Sequence, residues 1–227
     1  MDNYNIAIDG PAGAGKSTIA KRVAKKLEYI YVDTGAMYRA MALFMLRQEI
    51  FAEDEGKISK ACNQAEITIE YIDGEQQVIL NGENVTGQIR TEEVGKMASA
   101  VAKCNAVRTK MVQLQKNLAA TSNVIMDGRD IGTVVLPDAD LKVYLTASSK
   151  ERALRRWKEL ENKGISSDRS EIEADIVKRD FQDMNRENSP LRQAEDAVLV
   201  DSSNLTIDEV VDKIILLFKE KCSGELG

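Results

Sequence analysis

Eight residues near the N-terminus, Gly10-Pro11-Ala12-Gly13-Ala14-Gly15-Lys16-Ser17, spell G-x-x-x-x-G-K-S. This spacing suits phosphate chemistry. Glycines let the backbone curl, so that successive N–H groups turn inward on an anion. The N-terminus of a following helix adds partial positive charge. The lysine reaches β- and γ-phosphates, and the hydroxyl after it ligates Mg²⁺. These eight residues and Thr18 are the expected contacts to ATP, with Lys16 also acting on the transferred group and Ser17 on the metal.

The motif works only between a strand and a helix, and both are present. Asn5–Asp9 is a short apolar run, and Thr18–Leu27 is a helix former. Four further apolar runs, Tyr29–Asp33, Asn123–Asp127, Leu141–Leu145 and Ala197–Asp201, alternate with helical stretches. The pattern predicts an α/β P-loop fold of three layers around a five-stranded parallel sheet. Ligands then bind beyond the carboxyl ends of the strands. Asp9, Asp33, Asp127 and Asp201 fall along that edge, the last read as a local cap. Ser148, Ser170 and Thr206, each followed three residues later by Glu, predict helix starts of the capping-box type.

Two segments interrupt the alternation. Residues 34–122 are too long for one crossover. Within them Ile67, Ile69 and Tyr71 alternate, Asp73-Gly74 turns, Val78 and Leu80 alternate, and Asn81-Gly82 turns again. That predicts an antiparallel β insert, flanked by helices over 36–48 and 92–120. Residues 148–190 carry Arg152, Arg155, Arg156, Arg169, Arg179 and Arg186 with few apolar anchors. They predict a mobile helical lid.

Composition narrows the chemistry. The 227 residues include no histidine, which removes the commonest general base and His-dependent nucleophile and zinc systems. Phosphoryl transfer tolerates this, because it needs positioning and charge neutralisation more than proton shuttling. A net charge of −6 and 5% aromatic content argue against a nucleic-acid binder. Cys62, Cys104 and Cys222 form no C-x-x-C pair and are expected to be reduced thiols. The N-terminus lacks the features of a signal peptide, and Ile214–Phe218 is too short to span a bilayer. The expectation is a cytoplasmic protein with no membrane partner.

Four constellations choose the reaction. Val124-Ile125-Met126-Asp127 ends a buried strand in an acid suited to Mg²⁺. Asp127-Gly128-Arg129-Asp130 then projects a cation suited to phosphate and an acid suited to the amino edge of a base. Asp33-Thr34-Gly35 opens a helix with a hydroxyl, and Arg39 follows on the same face. Arg179, Asp183 and Arg186 recur at helical spacing at the end of the lid.

These residues bear a family resemblance. The chain resembles the bacterial cytidylate kinases over nearly its whole length. The match runs through Ile8–Ser17, Asp33–Arg39, Ile89–Val94, Asp127–Val135, Arg179–Arg186 and Asp201–Ser203. The resemblance implies phosphorylation of CMP or dCMP by Mg²⁺–ATP; the acidic balance and the lack of a long uncapped apolar face lead to the expectation of a monomer that needs no nucleic acid. It implies that Ser99, Arg108 and Asp130 read cytosine. It implies that Thr34, Arg39, Arg129 and Arg186 bind the CMP phosphate, Thr34 standing where many relatives have Ser. Arg179 and Asp183 are implied at the sugar, Arg156 at ATP, and Arg129, Arg179 and Arg186 in catalysis with Lys16. The implied domains are a core of 1–35, 97–148 and 187–227, a monophosphate-binding insert of 36–96, and a lid of 149–186. A kinase of UMP, AMP or a sugar acid, or a nucleic-acid-stimulated ATPase, stays open as an alternative. A GTPase does not, since Asn162-Lys163-Gly164-Ile165 lacks the acid that reads guanine.

Overall fold

The apolar runs are strands because they must bury on both faces. Ile6, Ala7 and Ile8 are fully buried, as are Val124, Ile125 and Met126. The computed structural model of the chain describes residues 3–224. Its first elements are β1 (Asn5–Asp9), α1 (Lys16–Leu27) and β2 (Ile30–Asp33). The returning half is β6 (Val124–Gly128), β7 (Leu141–Thr146), α6 (Ser149–Asn162), α7 (Arg169–Asn185), β8 (Val198–Asp201) and α8 (Ile207–Ser223). The strands form one parallel sheet in the order β2-β6-β1-β7-β8. Ile19, Val23, Val210, Val211, Ile214 and Phe218 of α1 and α8 pack with Ile6, Ile8, Ile125, Val143 and Val200 of the sheet. Edge-on contacts from Tyr4 and Tyr29 to Phe218, at 5.7 and 5.8 Å between ring centroids, close one end of that core.

The chain makes two compact units, one running to Tyr31 and resuming at Ser122, the other Val32–Thr121. The second contains α2 (Thr34–Arg47), α3 (Glu55–Ala61), β3 (Ile67–Ile72), β4 (Glu75–Leu80), β5 (Glu83–Asn84), α4 (Glu92–Val101) and α5 (Asn105–Thr121). The three strands form the expected antiparallel sheet. Both expected turns are left-handed at both central residues: Asp73 and Gly74 at φ 53° and 78°, Asn81 and Gly82 at 49° and 82°. That conformation matches the twist of a hairpin. Met37, Met41, Met45 and Met111 fill the core with Ile58, Leu80 and Ile89.

Several expectations change. The helix expected over 92–120 is two, because the chain turns at 102–104 so that Val101, Cys104 and Val107 all bury. Residues 97–121 lie in the second compact unit, with the β insert. Ser170 is not the cap of α7. Asp168 is, accepting the N–H of Ser170 at 2.6 Å and of Glu171 at 3.3 Å. Glu173 instead accepts the Ser149 hydroxyl. The caps at Ser148 and Thr206 are as expected, the latter a full capping box. Asp201 is a local cap, accepting the Ser203 N–H at 2.8 Å. Arg186 leaves the shared helical face, since α7 ends at Asn185 and Arg186 is extended. Among the described residues the three cysteines are free thiols, and no helix is long and apolar enough to cross a membrane.

Candidate active site

The loop between β1 and α1 is shaped by close backbone approach. At Gly10, with φ near 150°, a Cβ would stand 1.9 Å from the Leu145 carbonyl oxygen, so no side chain fits. Gly15 caps α1 in the left-handed region at φ 88°. Lys16 is buried at the start of α1, and its ammonium donates to the Pro11 carbonyl at 2.8 Å. Burial, then the nearby Arg129 charge, push the Lys16 ammonium down to about 7. Ser17 donates its hydroxyl to Asp127 at 2.9 Å, and the Tyr31 hydroxyl donates to the other Asp127 oxygen at 2.8 Å. The P-loop hydroxyl and the strand-end acid are thus neighbours, as their separate motifs required.

Just past β6 the chain makes a single π-helical turn over Ile131–Val135. Asp9, at the end of β1, holds it there by accepting the N–H groups of Ile131 and Gly132 at 2.8 and 2.7 Å. Burial pushes the Asp9 carboxyl up to about 6, against the pull of those two bonds. At Gly132 a Cβ would meet the Lys142 stem at 3.1 Å, so the turn lies flat on β7. Arg129 and Asp130 are thereby fixed beyond the carboxyl ends of β1 and β6. Two ion pairs cross there: Arg129 with Asp183 at 2.8 Å, and Arg186 with Asp130 at 3.3 Å. Four of the sequence-derived site residues, about 55 positions apart in each pair, come together in this way. Arg179 is exposed on α7, one turn before Asp183.

The arginines of α6 divide by face. Arg156 pairs with Glu159 at 2.8 Å on the surface. Arg155 donates to the Ser202 carbonyl at 2.7 Å, and its guanidinium lies 4.0 Å from where a Gly15 Cβ would stand. Arg152 is buried. Sequence reading named all three arginines without assigning faces. Burial of the adjacent Arg152 and Ala153 on one side of α6 is the signal that sorts them.

In the other unit, Thr34 is buried at the start of α2. Asp33 caps that helix through the Ala36 N–H at 2.9 Å and pairs with Arg90 at 2.6 Å. Gln76 of β4 bonds both the N–H and the carbonyl of Asp33, tying the insert to this helix start. Arg39 donates to the Ile89 carbonyl at 3.2 Å and lies against Gly95 of α4. One turn later on α4, Ser99 is exposed and donates to the Gly95 carbonyl. Arg108 is buried on α5, its guanidinium 5.9 Å from the Tyr38 ring centroid.

A parallel sheet, a phosphate-binding loop with its lysine, a hydroxyl–carboxylate pair, and arginines beyond the strand ends define a P-loop phosphotransferase. A gluconokinase from Sinorhizobium meliloti 1021 shares the fold at a TM-score of 0.51 and 14% identity, covering 100% of this chain and 99% of that one. The cytidylate kinase family model matches residues 6–220. The cytidylate kinase of Caldicellulosiruptor saccharolyticus is 51% identical over 226 residues, covering 100% of both chains. That of Desulforamulus reducens is 54% identical over 210 residues, covering 92% of this chain and 94% of its own. The chain belongs to the cytidylate kinase family, and it is an ATP-dependent kinase of that family.

Proposed function

We propose that this kinase transfers the γ-phosphoryl group of ATP to CMP or dCMP, releasing ADP with CDP or dCDP. The observation that carries the reading is the cluster of Arg129, Asp130, Asp183 and Arg186. It sets two guanidinium groups, each paired with a carboxylate, beside a P-loop lysine. No general base is needed, because a nucleoside monophosphate has a second pKa of about 6 and is already a dianion near neutral pH. The P-loop amides and Lys16 hold the ATP phosphates, and Thr18 extends those contacts. Arg39, Arg129 and Arg186 offset repulsion between the two anionic phosphates and align attack. Thr34 adds a hydroxyl to the same phosphate. Ser99, Arg108 and Asp130 read the base, and Arg179 and Asp183 take the sugar, Arg179 also reaching phosphate. Of the α6 arginines, Arg155 faces the P-loop and joins the ATP contacts ahead of Arg156, which Glu159 holds on the surface.

Ser17 and Asp127 are hard oxygen donors, the kind Mg²⁺ takes alongside nucleotide phosphates. Bound there, the ion would neutralise phosphate charge as the γ-group leaves. Residues 149–186 act as the lid, whose closure keeps water from the γ-phosphate. The working form in this reading is a cytoplasmic monomer.

The test is steady-state ADP release with Mg²⁺–ATP and CMP, dCMP, UMP, AMP or GMP. Strong turnover with CMP and dCMP alone is expected. Equal turnover with UMP would remove Ser99, Arg108 and Asp130 from base selection, since a site built on buried polar groups should reject the wrong edge strongly. No turnover with any of the five would point to a different small acceptor.

A further inference from the structure

Arg152 serves none of the roles assigned so far, yet it is among the most buried charged side chains in the molecule, with 7% of its side chain exposed. A guanidinium out of water must spend all its donors well. Its Nε donates to the Ala147 carbonyl at 2.9 Å, at the end of β7. One Nη donates to the Ala12 carbonyl at 2.9 Å, inside the P-loop. The other pairs with Asp180 of α7 at 2.7 Å. The Arg152 stem also runs beside Gly13, 3.5 Å from where a Cβ would stand there. The second Asp180 oxygen is buried without a hydrogen-bond partner. The carboxylate is therefore committed to Arg152, and the pair is not a solvated surface bridge.

The chain positions around Asp180 give this pair its meaning. Arg179 precedes it, and Asp183, paired with Arg129, lies one turn on. We infer that Arg152 and Asp180 are positioning residues that link the P-loop backbone to the acceptor-binding end of α7. Through them, ATP in the loop favours the placement of α7 that binds CMP, and CMP favours the loop that binds ATP. The inference rests on the proposed reaction, since it takes CMP as the acceptor. Neither residue touches a substrate in it. A buried multi-bonded guanidinium has one arrangement of lowest energy, so movement of the Ala12 carbonyl on phosphate binding must be met by Arg152 and passed to Asp180.

The test is CMP affinity by calorimetry, with and without a saturating non-hydrolysable ATP analogue, in wild type, D180N and R152K. Trp157, the single tryptophan and also on α6, gives a second readout by fluorescence. Wild type is expected to bind CMP about tenfold more tightly with the analogue present, a typical size for coupling between sites. D180N is expected to lose most of that gain while binding CMP alone within about threefold of wild type. R152K keeps the charge but cannot span three acceptors, so it should lose the gain as well, and it decides the matter if D180N does not fold. Retention of the full gain by the variants, or its absence in wild type, overturns the inference. Equal weakening with and without analogue also overturns it, since that is the signature of a merely structural pair. Wild-type ADP release with CMP, measured alongside, separates these results from a failure of the proposed reaction itself.

Discussion

Lys16 is held between two demands. It must be charged to bind phosphate, yet burial and Arg129 push its ammonium down to about 7. The free enzyme should therefore lose the charged form as pH rises through 7, and kcat/KM for ATP should fall on the alkaline side. Bound phosphates restore the charge, so kcat should fall only at higher pH. A kcat/KM profile flat from pH 6.5 to 9 would reject this account. Stability has the opposite sign. The folded value lies below the unfolded one of 10.5, so the native state holds fewer protons between about 7 and 10.5, and stability rises with pH there. Arg129 makes a different prediction because its charge is paired with Asp183 and is assigned to the acceptor phosphate rather than to ATP. Arg129→Ala should cut turnover by about 10²–10³, the range for losing one charge-stabilising donor, while ATP affinity changes little. Near-normal turnover in that variant removes Arg129 from the site. The P-loop was fully legible in the sequence because its chemistry is local: glycines that let the backbone curl, then a lysine and a hydroxyl at fixed spacing. The pairs Arg129–Asp183, Arg186–Asp130 and Arg152–Asp180 were not legible as pairs. No periodicity links residues of α6, or those just past β6, to partners on α7 or just past its end, which they meet only in the fold.

Strands and hairpins were legible for the same reason as the loop. Burial on two faces leaves a continuous apolar run, and a left-handed turn leaves Asp-Gly or Asn-Gly. The break between α4 and α5 was not, since Ala102-Lys103-Cys104 contains no glycine or proline, and the turn shows only in the joint burial of Val101, Cys104 and Val107. The start of α7 was misread because Asp168 and Ser170 both suit a cap, and the ionised carboxylate holds two N–H groups where the hydroxyl would hold one. Asp9 shows what an element end can do. It fastens the turn that follows Arg129 and Asp130 to the end of β1, and it does so from a buried position that pushes its carboxyl up to about 6. The folded value lies above the unfolded one of 3.8, so the Asp9 contribution to stability is complete below about pH 4 and is lost as pH rises through 6. Asp9→Asn does not titrate. The stability of wild type relative to that variant should fall by roughly 3 kcal/mol between pH 4 and 7, read from denaturant unfolding at several pH values. A difference that stays constant with pH would mean that Asp9 titrates normally.

Each of the two units has its own apolar core, isoleucine- and valine-rich around the parallel sheet and methionine-rich in Val32–Thr121. The acceptor roles proposed above fall to two groups of residues. Arg39, Ser99 and Arg108 belong to the second unit, whereas Arg129, Asp130, Arg179, Asp183 and Arg186 belong to the first. ATP, by contrast, is assigned to the first unit alone. Hydrogen exchange can tell these assignments apart without any variant. A ligand stabilises what it binds by RT ln(1 + [L]/Kd), about 2.7 kcal/mol at a hundredfold excess over Kd. Amides that exchange by local opening of a ligand-bound segment should then slow by up to about a hundredfold. CMP alone should slow exchange in α2, α4 and α5 and also around Gly128–Val135 and the end of α7. A non-hydrolysable ATP analogue alone should slow exchange in the P-loop and the first turn of α1, with α2 and α4 unchanged. Protection by CMP confined to the first unit would strip Arg39, Ser99 and Arg108 of their roles while leaving the kinase reading intact. Protection of the second unit by the ATP analogue alone would show that the nucleotide donor reaches residues here given to the acceptor.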